Sequence, residues 1–242
     1  MKVIRNSRFA VSIIFAINGV VFGTWASRIP AISDFHNLSP ASLGLLIFLM
    51  GFSAVIAFSV FGRAADRYGA ATITKRTTCT LIPLTLIFIG FANSIWMLIP
   101  ALIFFGGIHG GVDVAMNAWA VEVERKDNRP LMSSFHGMWS LGSGIGAGSG
   151  VLATYYKTEV PMHFTMTSII IFLVVLSVVT IPFKSIKNKK NTKGPFISIP
   201  KGALLPVAFI TFFASLGEGV VADWSAIFLR SISELPNGSA AL

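Results

Sequence analysis

The chain has 242 residues, of which 54% are hydrophobic and 12% charged, and its mean hydropathy is +0.75. A soluble domain carries roughly 25% charged residues, so a soluble globular fold is excluded, and disorder is excluded because it needs low hydrophobicity and high charge. The net charge of +9 would suit a nucleic-acid partner if it lay on a soluble face; here the basic residues sit between apolar runs and read as membrane topology instead. The single cysteine, Cys79, rules out an internal disulfide and a metal site built on cysteines, and no cofactor is expected.

Stretches free of Asp, Glu, Lys and Arg cover residues 9–27, 35–62, 77–112, 131–156, 160–183 and 202–217. A spanning helix needs roughly 20 apolar residues, so the run 77–112 is divided at its polar pause, Ala92-Asn93-Ser94. The expected spans are about 9–27, 41–62, 77–92, 95–119, 133–154, 164–183 and 203–229. They are expected to be helices, because the lipid core admits only helices and closed barrels and these runs do not alternate as barrel strands do. The basic residues 1–8 before the first run resemble a signal peptide, but no small-residue cleavage site follows and further spans do, so the first helix is retained.

In the first span, Asn18 is placed to line a cavity, Trp25 reads as an interface anchor, and Arg28 at the outer boundary either snorkels, is paired, or closes an outer gate. Glycines 62 and 69 flank a turn after the second span and allow close approach. Asp66 within it stands at a helix boundary, where it can accept from a helix N-terminus or pair with a basic residue and hold one side of the protein shut.

The fourth span carries His109, Asp113 and Asn117 at i, i+4 and i+8, on one face of a helix also rich in glycine. A carboxylate inside a span costs roughly 2.5–3.5 kcal/mol on insertion scales and marks a functional site by default. Asp113 is therefore read as a titratable cavity group with a role in proton coupling. His109 and Asn117 fit equally as cavity lining or as hydrogen-bonding glue between helices. In the fifth span Gly142, Gly146 and Gly150 form a repeated small-residue pattern for close helix packing, and no Gly-Lys-Ser/Thr follows to make a phosphate loop. His136 and His163 lie near span ends and read as interfacial.

Residues 184–202 form a basic stretch expected to link a six-helix bundle, residues 1–183, to the first helix of an incomplete second bundle, residues 203–242. The last span echoes the first: Gly19-Val20-Val21, Trp25 and Arg28 are matched by Gly219-Val220-Val221, Trp224 and Arg230. Parallel repeats of this kind occur in transporters made of two six-helix halves. Glu218 and Asp223 on the last span are five residues apart, roughly 140° of helical arc, so they face different neighbours and one of them would face the cavity. With the N-terminus inside, sixteen of the 19 Lys and Arg fall on the inner side, which sets that orientation by the positive-inside rule. It disfavours receptors with an outside N-terminus, and the absence of lysine from 202–242 disfavours a retinal protein.

The turn Gly62-Arg63-Ala64-Ala65-Asp66-Arg67-Tyr68-Gly69 resembles the signature loop of the major facilitator superfamily at Gly62, Asp66, Arg67 and Gly69, with the basic pair that should follow displaced to Lys75-Arg76. Segments Trp25-Ala26-Ser27-Arg28-Ile29-Pro30, Asp113-Val114-Ala115-Met116-Asn117-Ala118, Met132-Ser133-Ser134-Phe135-His136 and Ala222-Asp223-Trp224-Ser225 resemble a bacterial sugar-permease-like, rhizopine-associated membrane protein branch. The resemblance implies an all-α membrane fold, twelve helices in the complete family member, alternating access, and a small-molecule, sugar-like substrate in the cell (inner) membrane. The expected partners are the lipid bilayer, the substrate and, through Asp113, protons, with a missing C-terminal half or a second copy completing the protein. The alternative is a non-transporting remnant or a partner-binding membrane subunit. A membrane-embedded enzyme finds no nucleophile–base pair or metal spacing in support.

Overall fold

The computed structural model describes residues 2–187 and 200–233, with side chains from 6 to 187 and from 200 to 229. Lys189, Lys190 and Lys193 of the expected linker, the Arg230 side chain of the repeat and residues 234–242 lie outside the described residues. The described residues fold into α1 (Lys2–Phe35), α2 (Pro40–Tyr68), α3 (Ala70–Thr80), α4 (Ile82–Gly90), α5 (Ile95–Asp127), α6 (Met132–Tyr155), α7 (Val160–Val179) and α8 (Leu204–Ser233), with no strand among them. The end that holds the start of α1 and the α2–α3 and α5–α6 turns is called here the basic end; residues 36–39, 91–94 and 156–159 turn at the far end.

Local chemistry sets the helix ends. Ser39 caps α2 by accepting the Ser42 N–H at 3.1 Å, and Pro40 stands in the first turn, where its missing N–H costs nothing. Gly69, at φ +98°, ends α2 with its N–H on the Ala65 carbonyl at 2.7 Å. Asn128 ends α5 in the left-handed region that Asn tolerates. The Glu124 carboxylate then accepts the first N–H groups of α6, from Leu131 at 2.6 Å and Met132 at 2.8 Å.

Two expectations are corrected. The span 77–92 is not one helix: the ladder breaks at Leu81, and Pro83 in the first turn of α4 has no N–H to continue it. The first helix is longer than 9–27, running through Pro30 to Phe35. Of the seven expected spans, five helices are long and apolar enough to cross a membrane: Asn6–Phe35, Pro40–Tyr68, Ile95–Asp127, Val160–Val179 and Leu204–Leu229. The break leaves α3 and α4 at 11 and 9 residues, and glycine and serine dilute the hydropathy of α6.

Helix α1 is the centre of the bundle, packed along α6 and touching α5, α7 and α8; α2 packs along α5, and α4 against α7. Glycine brings the two main pairs together. A side chain at Gly142, Gly146 or Gly150 would run into Ala16, Val20 or Ser27 of α1, and one at Gly19 or Gly23 into the backbone of α6 at Trp139 or Ser143. The same holds for Gly106 against Met50 in the α2–α5 pair. Between them lies a core of large side chains, with Phe15, Trp25, Phe105, Trp119, Phe135 and Phe164 fully buried.

After α7 the chain turns back across the basic end as a strap. Lys75 of α3 donates to the Ile181 carbonyl. Phe183 lies against the Trp119 ring, with centroids 5.8 Å apart, and under the Lys126 ammonium at 4.0 Å. Lys126 donates to the Lys184 carbonyl at 2.9 Å, Ser185 Oγ accepts the Ala71 N–H at 2.9 Å, and Glu122 accepts the Ile186 N–H at 3.2 Å. The strap therefore closes over the N-terminus of α3, next to Gly69.

Candidate functional site

Two adjoining cavities open between α8 and the α1, α2, α5 and α6 face. One, of about 420 Å³, is lined by Phe22, Asp113, His136, Trp139, Ser143, Ser215, Glu218, Gly219 and Ala222. The other, of about 450 Å³, shares Phe22, Asp113, Trp139 and Ser215 and adds residues of α2 and α5, among them Met50, Phe58, Phe105 and His109. Asp113 and Glu218 thus face the same space from different helices, and His136 lines it as well.

The middle of α5 is held by short hydrogen bonds. Asn117 Nδ2 donates to the Asp113 carbonyl at 2.9 Å and reaches Asp113 Oδ1 at 3.3 Å, which fixes the carboxylate along the helix. His109 Nε2 meets the Asn18 carbonyl at 3.1 Å, and its ring stacks on Phe105 with centroids 5.4 Å apart and planes 14° from parallel. Trp139 Nε1 donates to Asn18 Oδ1 at 3.0 Å, while the Asn18 amide nitrogen is buried without an acceptor. Phe22 completes the wall, 5.9 Å from His109 and 5.6 Å from Trp139. The result is an aromatic lining that also carries two carboxylates. Such a surface stacks on an apolar ring face and accepts hydrogen bonds from hydroxyls.

The remaining sequence candidates are distributed elsewhere. Asp223 is buried on α8 with Oδ1 unpartnered and does not line either cavity. At the basic end Gly62 is half-buried, Asp66 and Arg67 are exposed, and Arg67 lies 5.2 Å over the Tyr68 ring. Trp25 is not an interface anchor: it is fully buried against Phe105 at 5.7 Å, because α5 covers the face of α1 that carries it. Arg28 does not snorkel: it is buried and donates to Thr154 Oγ1 at 3.2 Å and to the Thr158 carbonyl at 2.8 Å. His163 is buried, with Nε2 3.0 Å from Ser149 Oγ, and His136 joins the cavity, so neither is simply interfacial. Phe22 and Trp139 were not singled out in the sequence; Trp139 stands one turn before Gly142, and that position on a close-packed helix was the available signal. Among the described residues no three His, Cys, Asp or Glu side chains are grouped so as to hold a metal ion.

An apolar bundle of parallel and antiparallel helices, crossed by glycine seams and opening a largely apolar cavity that carries two carboxylates, defines an integral membrane protein of the transporter type of fold. Residues 9–240 match the family described as Major Facilitator Superfamily, and the chain belongs to it. It is similar to the uncharacterized transporter y4wD of Sinorhizobium fredii, with 36% identity over 94% of this chain and 60% of that protein. An uncharacterized MFS-type transporter of Yersinia pestis is 28% identical over 98% of this chain and 61% of its own length. Membrane protein MosC of Rhizobium meliloti is 24% identical over 96% of this chain and 56% of its own. The chain therefore spans about three fifths of the length of these relatives. In fold it is similar to the crystal structure of the nucleoside transporter NupG, with a TM-score of 0.69 and 13% identity over 97% of this chain and 62% of that one.

Proposed function

We propose that this chain supplies the six-helix N-terminal bundle and the first helix of the second bundle of a secondary active transporter. The transporter works by alternating access on a small, sugar-like molecule. The observation that carries the reading is the cavity between α8 and α1, α5 and α6, where Asp113 and Glu218 face one space walled by Phe22 and Trp139. Substrate sites of this class lie between the two bundles, and α8 is the element that brings the second bundle to the first. Aromatic walls suit the apolar face of a polyol ring, and the carboxylates suit its hydroxyls. The distribution of basic residues supports an N-terminus on the cytoplasmic side of the cell membrane, which puts the basic end and its Asp66 turn inside.

Asp113 is the proposed coupling group. It is a carboxylate inside a span, oriented by Asn117 and open to the cavity. The test is Asp113→Asn, with proton-driven uptake and substrate exchange measured separately in proteoliposomes. The chain is assayed alone and together with the C-terminal part of its Sinorhizobium relative. Loss of driven uptake with exchange retained is the expected result. Normal driven uptake in the variant removes Asp113 from the coupling step and leaves it as a helix-packing group.

A further inference from the structure

A third cavity, of about 410 Å³, opens at the far end between α1, α4 and α7, and it shares no residue with the central pair. Arg28 lines it, with 5% of its surface exposed. The guanidinium keeps its charge in any protein environment, and its two acceptors, a threonine hydroxyl and a backbone carbonyl, are neutral. Its Nε–H is buried with no acceptor. A buried charge satisfied only in part is costly, so an anion beside it is favoured.

The rim of the same cavity carries the opposite sign. Glu159 lines it, is exposed, and stands at the N-cap of α7 without using its side chain as a cap. His36 is the other titratable group on the lining; burial holds its imidazole below the usual value against a hydrogen bond to Ala92, so at neutral pH it adds a polar contact and little charge. Phe35, Ile32, Ile89 and Val160 supply an apolar flank. A cation at the floor, a carboxylate at the rim and an apolar side are complementary to a zwitterion with its anionic group inward and its ammonium outward.

We propose that this far-end cavity is a binding site for a phosphoethanolamine-type zwitterion, with the phosphate on Arg28 and the ammonium on Glu159. Two sources supply that chemistry, the headgroup of phosphatidylethanolamine in the surrounding leaflet and a free phosphoethanolamine. Titration calorimetry on the purified chain in a non-ionic detergent tests it with phosphoethanolamine, ethyl phosphate, ethanolamine and dihexanoyl phosphatidylethanolamine. The expected result is saturable binding of the zwitterion, weaker binding of ethyl phosphate, and none of ethanolamine. Glu159→Gln, at an exposed position outside the packing, is expected to weaken phosphoethanolamine by up to about fivefold, the scale of one exposed ion pair, and to level it with ethyl phosphate. Tighter binding of the short-chain lipid than of phosphoethanolamine assigns the site to the bilayer; equal binding assigns it to the free compound. No binding of either zwitterion, or binding that Glu159→Gln leaves unchanged, overturns the proposal.

Discussion

Asn18 is the residue at which the cavity wall and the α1–α6 seam meet. Its carbonyl oxygen takes the Trp139 indole N–H, its backbone carbonyl meets His109, and its amide is buried. Trp139→Phe keeps most of the ring but strands the Asn18 oxygen, and a buried polar group left unpaired costs about 1–3 kcal/mol. The expected outcome is a lowered midpoint of thermal unfolding in detergent. Pairing the change with Asn18→Leu recovers much of the loss, because both partners are then apolar. A double variant no more stable than Trp139→Phe alone would show that the hydrogen bond is not the source of the effect. The site was legible in the sequence where a charge interrupts an apolar span, as at Asp113 and Glu218. It was not legible at Phe22 and Trp139, since an aromatic residue in a span is equally at home in lipid, core or cavity until its neighbours are known. Trp25 and Arg28 show the same limit from the other side: their place near a span end suggested an interface, and only the helices packed over them make them interior.

At the scale of the helices, spacing carried most of the information. The Gly142, Gly146 and Gly150 repeat predicts a close partner, and the partner is α1, with backbone touching backbone at Gly142 and Gly146 and the Ser27 side chain against Gly150. Backbone contact has no side chain to move aside. Gly142→Ala and Gly146→Ala are expected to destabilise the bundle, by about 1–3 kcal/mol each as overpacked sites. Gly144→Ala and Gly148→Ala meet open space and are expected to stay within about 0.5 kcal/mol of the parent. Equal effects in the two sets, read from thermal unfolding in detergent, would contradict the seam. A repeat of four residues has a second consequence: sliding α6 by one turn puts Gly146 in the place of Gly142 against Ala16, and Gly150 in that of Gly146 against Val20. The register is therefore fixed at its ends, by Trp139 on Asn18 and by Thr154 on Arg28. Apolar length alone misled at residues 77–92, where Pro83 interrupts a run long enough to span. It also understated α1, whose first turn is basic and whose last turns pass through a proline, features that hydropathy registers as loop.

Across the whole molecule, the basic end and the central cavity are tied to one another through α5, which carries Asp113 in its middle and Glu122 and Lys126 near its end. If the Asp66 turn latches the basic end, Asp66→Asn is expected to leave insertion intact and to raise the labelling of cysteines placed in the cavity, probed from the cytoplasmic side. Unchanged labelling together with unchanged transport would make Asp66 a solvated turn residue. The strap bears on the same end mechanically. A pull along the chain from residue 187 does not arrive first at α7, the helix that precedes it in sequence. It arrives at the Ile186 and Ser185 contacts, and so at Glu122 of α5 and the first turn of α3. Tension is thereby delivered at right angles to the order of the chain, beside the Gly62–Gly69 turn rather than at the end of α7. Ser185→Ala together with Glu122→Ala removes those two contacts, and force spectroscopy on a chain held at residues 2 and 203 should then lose its earliest, lowest-force step. A trace with the first step unaltered would mean that the load bypasses the strap.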